Sequence, residues 1–317
     1  MCKFIGIDIS KQTFDVSFSQ DKRWRHQIFE NKLSGFKKLL KLLNAEDWVV
    51  MEASGSYYLP LAEFLNKMNI QVCVVNPLII KRFSQTNVYR AKTDKKDART
   101  IAEYAEKYEL RKWNPASANA NKLRQLYSRK EMLLKQVHQN QRQLEAFHSS
   151  GFLDKFLKME INNSIKYLEN KILKLEKEMD RLSLEEYSET MENLQSIPGV
   201  GKQTAMMMCL ITDNFEKFDH YKQLIAFVGF SPRIYQSGTS VKGRGHICKM
   251  GKAQVRKLLY LCSWSAKKWN TKCKEMYERL KAKGKPERVI KIAIANKLIK
   301  QIFAIGKSKE KYQANFC

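Results

Sequence analysis

Residues 118–192 contain no proline and a single glycine, Gly151. A stretch so free of breakers, built mainly of Lys, Glu, Gln and Leu, has little choice but long helix. Leu123, Leu126, Leu133, Val137 and Leu144 approximate one apolar stripe, and Ile165, Leu168, Ile172, Leu175 and Met179 form another at alternating steps of three and four. Two helices broken near Ser149, Ser150 and Gly151, paired as an antiparallel hairpin or coiled coil, bury both stripes. This stretch divides the 317-residue chain into three expected parts: 1–112, 113–192 and 193–317.

The first part switches repeatedly between strand and helix patterns. Residues 4–9, 13–18 and 24–29 read as a meander of short strands, the second with alternating apolar positions. Helical spacing over 34–43 and 58–68 then alternates with apolar runs at 47–51 and 71–75, the last closed by Asn76-Pro77. Such an order predicts a mixed sheet flanked by helices, an α/β layer domain. A final helix over 94–107 follows Thr93, a suitable N-cap.

Five acidic residues stand out here, because the whole protein carries a formal net charge of +26. Asp8 and Glu52 end apolar strand runs, and Asp15 lies within one. Capping by Thr93 places Asp94 and Asp97 in a first helical turn, three residues apart and so on one face. Carboxylates at strand ends and on one helical turn suggest a site for a hard cation such as Mg²⁺. In a basic protein, that is how a phosphodiester is commonly approached and cut.

The positive charge is uneven. Residues 241–317 hold 21 Lys or Arg against four Glu and no Asp, an electrostatic footprint suited to a polyanion. The seven cysteines are odd in number and scattered without paired spacing, which argues against a disulfide framework or zinc ribbon. Met1-Cys2-Lys3 leads directly into a strand and no apolar run reaches membrane-spanning length, so the expectation is a soluble, reduced, cytoplasmic protein without a membrane partner.

In the last part, Ile197-Pro198-Gly199-Val200-Gly201-Lys202 has the form of a helix-hairpin-helix turn, whose amides can approach a phosphate. A Gly-, Ser- and Arg-rich loop over 229–245 leads into basic helices at 252–270 and 287–305 that also carry apolar faces, making an all-α core with a basic outer side. Lys202, Arg233, Lys242, Arg244, Lys249 and Arg256 are the candidate nucleic-acid contacts.

Gly6-Ile7-Asp8-Ile9-Ser10-Lys11, Met51-Glu52-Ala53-Ser54-Gly55-Ser56-Tyr57, Thr93-Asp94-Lys95-Lys96-Asp97-Ala98 and Ile197-Pro198-Gly199-Val200-Gly201 together resemble the insertion-sequence transposases of family one hundred and ten. Phe227-Val228-Gly229-Phe230-Ser231-Pro232, Ser237-Gly238 and Lys249-Met250-Gly251 complete the set, in order along nearly the whole chain. The resemblance implies a ribonuclease-H-like N-terminal domain of the junction-resolvase type, whose D-E-D-D set falls on Asp8, Glu52, Asp94 and Asp97 and binds one or two Mg²⁺ ions. Asp15 matches no catalytic position and is expected on the strand surface.

The resemblance further implies a serine nucleophile before glycine in the C-terminal loop, which selects Ser237, with Ser240 and Ser231 nearby. It implies donor and target DNA as partners and a structured bridge RNA as guide, in a prokaryotic, nucleoid-associated protein. Because the Ser237 loop lies far beyond Asp97 in sequence, the two halves of the site can meet between subunits, and a homodimer or homotetramer is expected when nucleic acid is bound. Lys252 stands where the family often has Asn or Asp. Two other readings remain open on the residues: a metal-dependent junction nuclease without serine catalysis, and a non-catalytic nucleic-acid-binding protein.

Overall fold

The computed structural model describes residues 3–21, 23–53, 55–86, 93–233, 236–237, 241–242 and 246–314. The chain divides into two compact units, Met1–Pro115 and Ala116–Cys317.

In the first unit, β1 (Phe4–Ile9), β2 (Thr13–Gln20) and β3 (Arg23–Glu30) form the expected antiparallel meander. Then β4 (Trp48–Glu52) and β5 (Gln71–Val75) join parallel to β1, giving the order β3-β2-β1-β4-β5. The period-two pattern of the strands sorts their side chains between two helical layers. Ile5, Ile7, Phe14, Val16, Val49, Met51 and Val72 pack with residues of α1 (Leu33–Leu40) and α2 (Leu59–Lys67) on one side. Val50, Cys73 and Val75 pack on the other with Ile80 of α3 (Pro77–Thr86) and with Ile101 and Ala105 of α4 (Asp94–Lys107).

Helix α3 departs from the sequence reading, which has Asn76-Pro77 only as the stop of a strand. Asn76 Oδ1 accepts a hydrogen bond from Leu78 N at 2.9 Å, so Asn76 caps a helix that Pro77 begins.

The second unit starts with the two long helices, α5 (Ala118–Ser149) and α6 (Lys155–Gln195). Leu133, Val137 and Ile172 form their own small core, while Leu123 and Met179 join the main core of the unit. Tyr187 leaves the helical range inside α6 and is itself buried. After Gly199, which adopts φ +100°, come α7 (Lys202–Thr212) and α8 (Tyr221–Val228). A β-ribbon follows, and then α9 (Ala253–Trp269), α10 (Thr271–Ala282) and α11 (Glu287–Ser308). Ile290, Ile294, Leu298 and Ile302 bury the predicted apolar face of α11, against Val255 and Leu259 of α9 among others. Among the described residues, no helix is long and apolar enough to cross a membrane. The five described cysteines are free thiols.

Gly6 is where α4 and β1 approach each other closely. A Cβ there would lie 2.1 Å from the Ala98 carbonyl oxygen and 2.3 Å from Ala102 N, both backbone atoms of α4. The Gly6→Ala variant must therefore push α4 off β1, and is expected to lose about 1–3 kcal/mol of stability. Urea denaturation measures this, and an unchanged midpoint would contradict the packing described.

Candidate functional site

The approach of α4 to β1 brings three carboxylates together. Thr93 caps α4, its side chain accepting from Lys96 N at 3.3 Å, so that Asp94 and Asp97 fall in the first turn. Their carboxylate oxygens and one of Asp8 all lie within 4.8 Å of one another. The helix N-terminus favours negative charge at that point, but the crowding is severe. The Asp8 carboxyl is pushed up to about 6, first by burial and then by the charges of Asp97, Asp94, Glu52 and Asp15. Glu52 ends β4 one residue beyond the Ile7–Met51 pair, level with Asp8, and stands outside the closest three. An all-oxygen donor set that is mutually repulsive when ionised fits a divalent hard cation, which offsets the repulsion.

Asp15 is not the surface residue expected. It is 9% exposed, pairs across the strands with Asp8, and its Oδ1 lies 2.7 Å from His26 Nε2. The alternation in β2 suggests one buried and one solvent face, yet α4 covers the second face as well. Ser17 Oγ, on the same side as Asp15, donates to the Lys95 carbonyl at 3.5 Å, and Arg99 of α4 stacks 4.8 Å from the Trp24 ring centroid. Asp15 and His26 thus extend the polar row beside the acids. A neighbouring acid and a histidine on adjacent strands are visible in the sequence, but their register is not.

Ser237 lies in the second unit, in a β-ribbon where the sequence suggests an irregular loop. Strand β6 (Pro232–Arg233) pairs with β9 (His246–Ile247), and β7 (Gln236–Ser237) pairs with β8 (Val241–Lys242). Pro232 pairs with Ile247 and Arg233 with His246, whereas Ser237 pairs with Val241, so the pairing shifts by one residue between the two strand pairs. The base of the ribbon is closed by two left-handed glycines. Gly229 at φ +88° lies against the Met250 carbonyl, and Gly251 at φ +119° against that of Phe227; a Cβ would come within 2.2 and 2.1 Å respectively. Cys248 N also donates to the Ser231 carbonyl at 2.9 Å.

The basic candidates separate into different environments. Arg233 and Lys249 are exposed, and Lys242 lies on β8. Lys202 is paired with Asp180 at 2.8 Å. Arg256 donates from one guanidinium nitrogen to the Val228 carbonyl at 2.7 Å, serving the end of α8. Arg244 and Ser240 lie outside the described residues.

The raised Asp8 pKa makes a signed prediction for the metal-free protein. A carboxyl near 6 when folded, against an ordinary value of 3.8, binds its proton more tightly in the folded state. Stability is therefore lost as pH rises from about 4 through 6. Asp8→Asn removes that loss, so its thermal midpoint in chelator is expected above wild type at pH 8, with the gain shrinking towards pH 4. A midpoint difference independent of pH would refute this.

Comparison with known proteins adds to the geometry. A profile of the DEDD-type IS110 group, described as "Transposase", matches residues 5–152, and one described as "Transposase IS116/IS110/IS902 family" matches residues 191–278. The chain is 29% identical over 311 residues to the pilin gene-inverting protein of Moraxella lacunata, covering 95% of each chain. The protein of the same name from Moraxella bovis matches equally. The transposase for insertion sequence element IS1111A of Coxiella burnetii is 23% identical over 283 residues, 81% of this chain and 76% of that one. With both family segments matched in order, this chain belongs to the IS110/IS116/IS902 family of insertion-sequence transposases, enzymes that cut and rejoin DNA.

Proposed function

We propose that this transposase is an RNA-guided DNA recombinase in which the Asp8, Glu52, Asp94 and Asp97 carboxylates and the Ser237 hydroxyl act on the same phosphodiester. The observation that carries the reading is the convergence of Asp8, Asp94 and Asp97 within 4.8 Å at a sheet end, in a chain of net charge +26. The sheet order β3-β2-β1-β4-β5 with helices on both faces supports the ribonuclease-H-like assignment of this domain. Bound at the carboxylates, one or two Mg²⁺ ions would neutralise charge on the phosphate and on its leaving oxygen.

The chain's own residues account for the rest. Ser237 Oγ forms a bond to phosphorus, the bond to one deoxyribose oxygen breaks, and that oxygen takes up a proton while the serine loses its own. The resulting phosphoserine keeps the phosphodiester energy, so that a second strand's hydroxyl can reverse the step and reseal the DNA without ATP. The relative named for inverting a pilin gene supports rejoining over simple hydrolysis. Arg233, Lys242, Arg244 and Lys249, with the wider basic surface, supply contacts for the donor and target DNA and for a structured guide RNA. The exposed Phe152, Phe156 and Met159 beside the turn between α5 and α6 support assembly into a dimer or tetramer.

Asp8→Ala and Asp97→Ala are each expected to lower strand cleavage by about a hundredfold or more. Ser237→Ala is expected to abolish the covalent protein–DNA adduct, read on a denaturing gel with end-labelled DNA. Cleavage that persists in Ser237→Ala, with no adduct in the wild type, would establish a plain metal-dependent nuclease instead. Full function in an Asp8→Ala, Glu52→Ala double variant would establish a non-catalytic protein. Omitting RNA transcribed from the flanking non-coding DNA is expected to stop recombination. Light scattering of the assembled RNA–DNA complex should show two or four chains, and a monomer would refute the assembly.

A further inference from the structure

The second unit holds a cleft of about 470 Å³ bordered by α8, α10 and α11, whose lining includes none of the acids and not Ser237. That volume is in the range of sites for small ligands and suits one nucleotide, while a duplex is too wide to enter. Its lining includes Lys222, Lys297 and Lys300 and, among the described residues, no acid. Ile225 and Met276 contribute an apolar part. Tyr221 offers an aromatic ring, held by His220 at 4.2 Å between centroids and by Lys300 Nζ at 5.1 Å from the ring centroid.

Asn296 also lines the cleft, and its Oδ1 is buried without a hydrogen-bond partner among the described residues. Buried acceptors are nearly always satisfied, so this amide calls for a donor from outside the protein. Three cations, an aromatic ring and an unmet acceptor match the phosphate, base and exchangeable hydrogens of a nucleotide. A second copy of so basic a chain would be repelled from the same surface.

We propose that this cleft seats one unstacked nucleotide of a single nucleic-acid strand, with its phosphate against the three lysines and its base or sugar against Tyr221 and Asn296. Ser231 and Pro232, at the root of the ribbon that carries Ser237, border the same cleft. The seated strand thus enters beside the ribbon; this placement relative to the chemistry rests on the recombinase reading above, whereas the seating itself does not.

The test uses full-length protein and three dye-labelled probes: single-stranded RNA, single-stranded DNA of the same sequence, and duplex DNA. Lys222 and Lys300 are exposed, so the Lys222→Glu, Lys300→Glu variant should keep the wild-type thermal midpoint. Its affinity for a single strand is expected to fall at least about tenfold, with the salt dependence reduced by about 0.7 in slope for the one phosphate no longer neutralised. Tyr221→Ala is expected to weaken the single strand about tenfold and to leave the duplex unchanged. A single strand carrying a photoreactive base should crosslink to the Tyr221 or Asn296 peptide.

Tighter RNA than DNA binding would assign the ribose hydroxyl as the donor to Asn296, and equal binding would assign the base. Unchanged single-strand affinity and salt slope, an equal loss for the duplex, or crosslinks confined to other peptides would overturn the proposal. In Ser237→Ala protein the crosslink should persist even where the covalent adduct is lost, so that failure of the cleft and failure of the serine mechanism are read separately.

Discussion

The chemistry of the first unit depends on one contact between backbones, that of α4 with β1 at Gly6. Without a side chain at Gly6, the helix settles until its Ala98 and Ala102 backbone lies against the strand, and its first turn reaches the end of the sheet beside Asp8. Small buried residues at Ala98, Ala102 and Ala105 permit the approach, and Ile101 anchors it. The same approach presses three carboxylates together and drives the Asp8 pKa upward. Packing therefore opposes electrostatics at this place, and the acids remain close because apolar burial on both sides of the sheet exceeds their repulsion.

Much of this organisation is legible in the chain. Strands of period two, two long helices of period near 3.6 and an N-cap at Thr93 are local signals, and each corresponds to an observed element. Register is not local. That Asp15 lies under α4 beside Asp8 depends on which residue pairs with which, and a strand's alternation cannot say whether its second face meets water or another layer. Helix α3 escapes a sequence reading for a different reason: an Asn-Pro pair that ends one element also begins another, and only the second role depends on the residues after the proline.

Charge gives a correct total and an incomplete distribution. Lys202 and Arg256 read as phosphate contacts by sequence, but Asp180 and the Val228 carbonyl, distant along the chain, already engage them. Conversely Lys222, Lys297 and Lys300 come from two separate helices, and no motif joins them. Lys291 is buried within 3.3 Å of the Trp264 ring centroid and 3.3 Å from Glu287, an interior use of lysine that composition counts as surface charge.

The one-residue offset between the two strand pairs of the ribbon sets a phase. The difference in length between the arms decides which residue of the return stands opposite Ser237. Sequence within the ribbon can vary while Gly229 and Gly251 keep its base closed. A single insertion or deletion in one arm cannot be absorbed in the same way, because it would change the partner of Ser237 or turn every residue beyond it to the other side. The segment is thus sensitive to the parity of its length more than to its composition, and a paired change, one residue in each arm, is the length change that keeps Val241 opposite Ser237.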